Sequence, residues 1–264
     1  MQKPTEHSRL THNHQHGGIH SRRPLTPLTK APDERPLPAM RHYRLSWLTE
    51  DNQIEDAVKV APALAMFEDA FSAFARGTLI ATENGPTAVE DLLPGTRIAT
   101  HRNGLRTLLW VGSMTLLPAK ADREAEHLTR IASDSFGLGR PMPDLLLGPG
   151  ARVFQRHGRL SALYDTEAAL IRAKDLCDGD MIAEITPATR VEVFHLAFAN
   201  HEIITANGLE CESYHPGPGL DTKLGQQATN YFMRLFPHLE TYADFGSMNV
   251  ARIVHDDITR METP

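Results

Sequence analysis

Short apolar runs recur through the middle of this chain, and Gly, Pro, Asn or Asp breaks each of them. They predict strands over Thr78–Thr82, Arg97–Thr100, Thr107–Val111, Leu145–Leu147, Arg152–Gln155, Val191–Phe198, Ile203–Thr205 and Leu209–Glu212. Asn84-Gly85 and Pro94-Gly95 separate the first of these runs, and such pairs favour tight turns because they accept the backbone angles a turn demands. A body of many short strands and frequent turns is mainly β.

The flanks carry other patterns. From Tyr43 to Val60 the chain alternates around Asp51-Asn52-Gln53, which predicts a small hairpin. Leu64, Phe67, Phe71 and Phe74 then recur at spacings of three and four, the signature of a short amphipathic helix ending before Gly77. Pro118 to Pro143 is longer, more charged and rich in Gly and Pro, and is expected to form surface loops. After Gly217-Pro218-Gly219, Leu224, Ala228, Tyr231, Phe232 and Leu235 place an apolar stripe on a helix over 221–236, capped by Asp221 or Thr222 and closed by Pro237. The residues beyond it read as weakly structured.

Composition changes the picture at one end only. Hydrophobic residues make up 41% and charged residues 23%, values of an ordinary globular protein, and the net charge of −6 points to neither nucleic acid nor an anionic membrane. Residues 1–38 hold six prolines and five histidines, with six Lys/Arg against three Asp/Glu and no apolar period, so a disordered basic tail is expected there. His12, His14 and His16 alternate and could converge on a transition metal, but nothing in the pattern supplies an ordered second shell, and no cofactor is expected. No apolar run is long enough to span a membrane and no apolar leader opens the chain. Cys177 and Cys211 fit no zinc or redox spacing and read as two reduced thiols suited to a cytoplasmic location.

Two stretches echo each other. Asp91-Leu-Leu-Pro-Gly-Thr-Arg-Ile-Ala99 and Asp175-Leu-Cys-Asp-Gly-Asp-Met-Ile-Ala183 share Asp-Leu-x-x-Gly-x-x-Ile-Ala, which suggests a duplicated β unit. The first copy lies in a longer string. Phe74, Gly77, Thr78, Ile80, Val89, Glu90, Asp91, Leu92, Pro94 and Gly95 match the pattern Cys-Phe-x-x-Gly-Thr-x-Ile…Val-Glu-Asp-Leu-x-Pro-Gly that opens the Hint domains of hedgehog proteins and inteins. Leu108-Leu-Trp-Val-Gly112, Asp144-Leu-Leu-Leu-Gly-Pro-Gly-Ala-Arg-Val153, Val193-Phe-His-Leu196 and Asn200-His-Glu-Ile-Ile-Thr-Ala-Asn-Gly-Leu209 resemble the later motifs, in the family's order. The chain therefore resembles a bacterial-type Hint domain over about 73–218. A horseshoe-like β fold of two pseudo-twofold subdomains is implied, with a tail at 1–38, an extension at 39–72 and a helical extension at 219–264.

The resemblance also implies a chemistry. Hint domains cleave their own backbone: a Cys, Ser or Thr at the first position attacks the preceding carbonyl, and a His protonates the departing nitrogen. Here Ala73 stands at the nucleophile position and Ala151 at the His position. Neither methyl group can attack or transfer a proton. Ser72 lies a full backbone step away, about 3.8 Å. His195, His201 and Asn207 resemble late residues that assist C-terminal cleavage in inteins. Yet Asn207 precedes Gly208, not a nucleophile, and Asn-Gly is itself a good type I′ turn. No His-Glu-x-x-His, Gly-x-Ser-x-Gly or Walker loop offers another activity, and Gly137-Leu-Gly139-Arg-Pro lacks a third glycine for a nucleotide. Glu90-Asp91 and Asp256-Asp257 read as solvated carboxylates. The expectation is a folded scaffold that has lost self-cleavage and has a binding or regulatory role, with an unknown protein as its possible partner. The alternatives are processing through another nucleophile, or a metal response through the tail.

Overall fold

A computed structural model describes residues 39–120, 125–156, 160 and 166–254. The tail with His12, His14 and His16, and the Asp256-Asp257 pair, lie outside the described residues.

The expected hairpin forms as β1 (Met40–Leu48) and β2 (Ile54–Pro62), turned at left-handed Asn52. A single helical turn, α1 (Ala65–Glu68), leads into β3 (Phe74–Ala75), β4 (Leu79–Thr82), β5 (Gly85–Ala88), β6 (Arg97–Thr100), β7 (Gly104–Thr107) and β8 (Trp110–Leu116). Then follow β9 (Leu128–Ile131), β10 (Leu145–Leu147), β11 (Arg152–Arg156), β12 (Ala168–Arg172), β13 (Ile182–Ile185), β14 (Val191–Ala197), β15 (Ile203–Ala206) and β16 (Leu209–Glu212). A helix, α2 (Leu220–Met233), and a short strand, β17 (Arg252–Ile253), close the described chain. The fold is mainly β.

Two sheets result. The first runs β13-β9-β10-β3-β14-β8-β1-β2; the second runs β17-β12-β11-β16-β15-β4-β6-β7, with β5 paired to β4. The repeat of the sequence is a repeat of structure. Hairpin β4–β5 leads through a 3₁₀ turn (Val89–Asp91) and left-handed Gly95 into β6; hairpin β11–β12 leads through a 3₁₀ turn (Ala173–Leu176) and left-handed Gly179 into β13. The halves meet where β8 and β14 pair antiparallel from Trp110↔Ala197 to Leu116↔Val191, as a two-fold between them requires.

The first sheet is covered on both faces. Phe74, Val111, Phe194 and Leu196 join the core shared with the second sheet, while their neighbours Ala75, Trp110, Val193 and Ala197 join another core on the opposite face. That second core gathers Tyr43, Phe67 and Phe71 from the N-terminal side and Phe232, Leu235, Phe236 and Phe245 from the C-terminal side around Trp110. The Trp110 indole donates to the Leu235 carbonyl at 2.9 Å, and Phe236 lies 4.7 Å from the Trp110 ring.

Several expectations need correction. The stripe from Leu64 to Phe74 is not one helix: only Ala65–Glu68 is helical, and Phe74 already belongs to β3. Burial in the second core, not helical periodicity, explains Phe67 and Phe71. The Thr107–Val111 run breaks at Leu108-Leu109, where the chain changes sheets between β7 and β8. Pro118–Pro143 is not all loop, since β9 lies inside it, bonded to both β10 and β13. The C-terminal helix starts at Leu220 behind left-handed Gly219 with no side-chain cap, and Gly225 interrupts it at φ 72° and ψ 163°. Beyond it the chain stays ordered, through a 3₁₀ turn (Tyr242–Phe245) and β17, which joins β12 in parallel. Cys211 is buried, and Cys177 is exposed.

Gly112 shows how tightly the second core closes. A Cβ there would stand 2.1 Å from Trp110 Cη2 and 2.6 Å from Phe71 Cδ1. Gly112→Ala should therefore cost about 1–3 kcal/mol through forced displacement of those rings, read as a lower urea midpoint. An unchanged midpoint would mean that the rings have room to shift.

Candidate functional site

The chain passes from the first sheet to the second between β3 and β4, between β10 and β11, and between β14 and β15. One of these crossings, between β10 and β11, touches the turn before β3 backbone to backbone. The Gly148 N–H donates to the Ala73 carbonyl at 2.8 Å, and the Gly150 N–H donates to the Ser72 carbonyl at 2.9 Å. The Ala73 N–H donates to the Phe194 carbonyl at 2.9 Å on β14. Contact this close needs glycine: a Cβ on Gly148 would lie 2.4 Å from the Ser72 oxygen, and one on Gly150 would lie 2.5 Å from the Asp69 oxygen.

Three of the expected site residues come together here. Ala73 and Ala151 are both buried, and the Ala151 N–H donates to Gly148 at 3.1 Å. His195, on β14, turns its ring edge-on to Phe74 at 6.0 Å and to Tyr214 at 5.1 Å. Its Nδ1–H donates to the Asp69 carbonyl at 2.8 Å, and its Nε2 is buried without a hydrogen-bond partner. Burial lowers its pKa to about 4, although the bond to Asp69 opposes that shift, so the ring is neutral at pH 7. Ser72 is buried as well, and its hydroxyl oxygen accepts from Gly150 at 3.2 Å. The junction thus keeps one donor aimed at the carbonyl of the Ser72–Ala73 bond, the kind of contact that polarises a carbonyl. Arg172 bonds Asp69 at 2.6 Å and the Pro149 carbonyl at 3.0 Å, fastening the two sides of the junction together.

A model described as Hint domain matches residues 72–218, more than half of the chain and all of this junction but Asp69. This chain belongs to the Hint domain family. Among solved structures it is similar to a GSH-linked, splice-inactive variant of the AceL NrdHF class 3 split intein, with 11% identity, a TM-score of 0.37, and coverage of 55% of this chain and 99% of that one. It is also similar to a bacterial intein-like domain from Clostridium thermocellum, with 15% identity, a TM-score of 0.36 and the same coverage. No curated protein matches the chain.

The other two candidates of the Hint domain lie on its second sheet, in settings of their own. Asn207 and Gly208 are both left-handed, φ 48° and 85°, and close the β15–β16 hairpin as a type I′ turn. The Asn207 side chain is fully engaged: its oxygen accepts from the Leu79 N–H at 2.7 Å, and its amide donates to the Pro143 and Asp144 carbonyls. His201 is held in a buried charge cluster that sequence reasoning missed. Its Nε2–H donates to Glu212 at 2.9 Å, and its Nδ1 accepts from the Asn249 N–H at 3.2 Å. Arg252 and Arg152 also bind Glu212, at 2.9 and 3.2 Å. Burial alone would raise the Glu212 pKa, but the His201 bond and the two guanidiniums outweigh it and hold the carboxyl at about 2. The only sequence signal was a pair of glutamates, Glu210 and Glu212, on a strand whose alternation should have exposed them.

Other features of this Hint domain lie apart from the junction. Glu90 is not simply solvated, since it accepts from the Gly77 N–H at 2.8 Å. Two cavities of about 360 and 430 Å³ share His101 and Phe154, and no junction residue lines either. Among the described residues, no three His, Cys, Asp or Glu converge as a metal site, and no helix is long and apolar enough to cross a membrane.

The sign of the pH response follows from these buried groups. A histidine held at about 4 in the fold and about 6.5 in the open chain leaves the unfolded state binding more protons between those values. Its contribution is complete above about pH 6.5 and is lost as the pH falls toward 4. His238, also lowered to about 4 by burial, acts in the same direction. Glu212 adds a further loss below about pH 4.5. Thermal melts should show Tm dropping from pH 7 to pH 4, with a shallower slope in His195→Gln. A flat profile would contradict the burial of these rings.

Proposed function

We propose that this Hint domain does not cleave itself through the acyl shift at the Ser72–Ala73 bond and instead serves as a folded scaffold that binds a protein partner. One observation carries the reading: the residue after the polarised Ser72 carbonyl is Ala73, a buried methyl with no lone pair to attack it. Ala151, in the family's His position, removes the proton donor as well, a loss of roughly 10²–10⁴ in rate on its own. Ser72 does not replace the nucleophile in this reading, because its oxygen is already engaged with Gly150.

The flanks support the same view. Residues 39–72 are no loose leader, since β1 pairs with β8 from Arg44↔Ser113 to Trp47↔Trp110. We take 39–72, 73–218 and 219–254 to act as one folded unit, which a processing domain has no need of. The two free thiols suit a cytoplasmic setting. His195, His201 and Asn207 then serve as structural residues, fastening β14, β16 and the β15–β16 turn.

The test is intact mass under denaturing conditions, after incubation with dithiothreitol. The wild-type chain should remain whole. Ala73→Cys combined with Ala151→His should restore a nucleophile and an acid beside a carbonyl that still has its donor, and should yield slow, thiol-dependent cleavage before residue 73. Either single variant should yield less. Cleavage of the wild type at this bond would overturn the proposal.

A further inference from the structure

Among the described residues, strand β2 ends the first sheet and pairs only with β1. Its free edge is nine residues long, and the face carrying Ile54, Val58 and Val60 is 48%, 59% and 52% exposed. Edges of this length are usually blunted, because open N–H and C=O groups recruit further strands. This one carries charge of both signs, which a partner strand of the same sequence can match. Glu55 and Lys59 are exposed and make no ion pair among the described residues.

We propose that the β2 edge is an interface with a second copy of this chain, two β2 strands pairing antiparallel across a two-fold at Ala57. A two-fold perpendicular to the sheet keeps every side chain on its own face, so the axis must pass through a residue. An axis at Asp56 would oppose two carboxylates. An axis at Val58 would set Glu55 opposite Ala61 and Lys59 opposite Ala57, with no charge matched. At Ala57 the axis brings Glu55 of each copy opposite Lys59 of the other, twice, and Ile54 opposite Val60, also twice. Ala57 meets itself there with the smallest side chain in the strand, so nothing obstructs the approach. Opposite charges and paired apolar side chains across neighbouring strands are the contacts that stabilise antiparallel sheets. The strand is thus complementary to itself in one register. Such an edge buries little area, and the dimer it makes is reversible.

Sedimentation velocity of the full chain over a range of concentrations tests this. The wild type should dimerise, and added salt should weaken the dimer. Lys59→Glu or Glu55→Lys alone places like charges opposite each other at both positions and should weaken dimerisation about tenfold. The double reversal, Glu55→Lys with Lys59→Glu, should return it to near the wild-type level. Hydrogen exchange on the wild type needs no variant: protection of β2 amides should rise with protein concentration. A chain that stays monomeric would overturn the proposal, as would single variants without effect or a double variant that stays weak. So would β2 protection that is independent of concentration, which would place a segment of the same chain, such as residues 1–38, on the edge.

Discussion

The structure depends on one close approach. Where the chain changes sheets between β10 and β11, it presses against the turn before β3 with only backbone between them. Gly148 and Gly150 leave no room for a Cβ beside Ser72 and Asp69. The hydrogen bonds from these glycines to Ala73 and Ser72 are therefore a consequence of the crossing itself. Around them the two cores close, one between the sheets and one behind the first sheet. In a self-cleaving relative the same approach would hold a scissile carbonyl in place. Here it is architecture in its own right, since the glycine contacts follow from the crossing whatever residue stands at position 73.

Sequence and structure agree where local pattern and tertiary environment act together. Leu145–Leu147, Arg152–Gln155 and Ile203–Thr205 read as strands because both neighbours and turns favour them. Asn207-Gly208 reads as a type I′ turn because few other pairs tolerate two left-handed residues. Agreement ends where a distant partner decides. Leu128–Ile131 is a strand because β10 and β13 flank it, though its surroundings are loop-like. Phe67, Phe71 and Phe74 share helical spacing by coincidence, since Phe74 faces one core and its predecessors the other.

The candidate site was legible in the same uneven way. Ala73, Ala151 and His195 lie in motifs whose order brings them to one junction. The cluster around His201 could not be read, because Arg152, Glu212 and the nearby pair Asn249 and Arg252 come from three separate stretches. A buried carboxylate with two guanidiniums is costly to desolvate and strongly destabilising to break. Its role here is to tie β17 and β11 to the β15–β16 hairpin. The second sheet therefore has a densely bonded interior of its own, apart from the junction.

The second core has a consequence for synthesis. Its aromatic rings come from both ends of the ordered chain: Tyr43, Phe67 and Phe71 from the beginning, and Phe232, Phe236 and Phe245 from the end. A ribosome delivers these groups in sequence, so one face of the first sheet stays uncovered until the last stretch emerges. Domains that complete early can fold during translation, whereas this one leaves the Trp110 surface wet until residues 232–245 have emerged. The interval before those residues emerge is when this Hint domain is most open to chaperones and to misassembly with its neighbours.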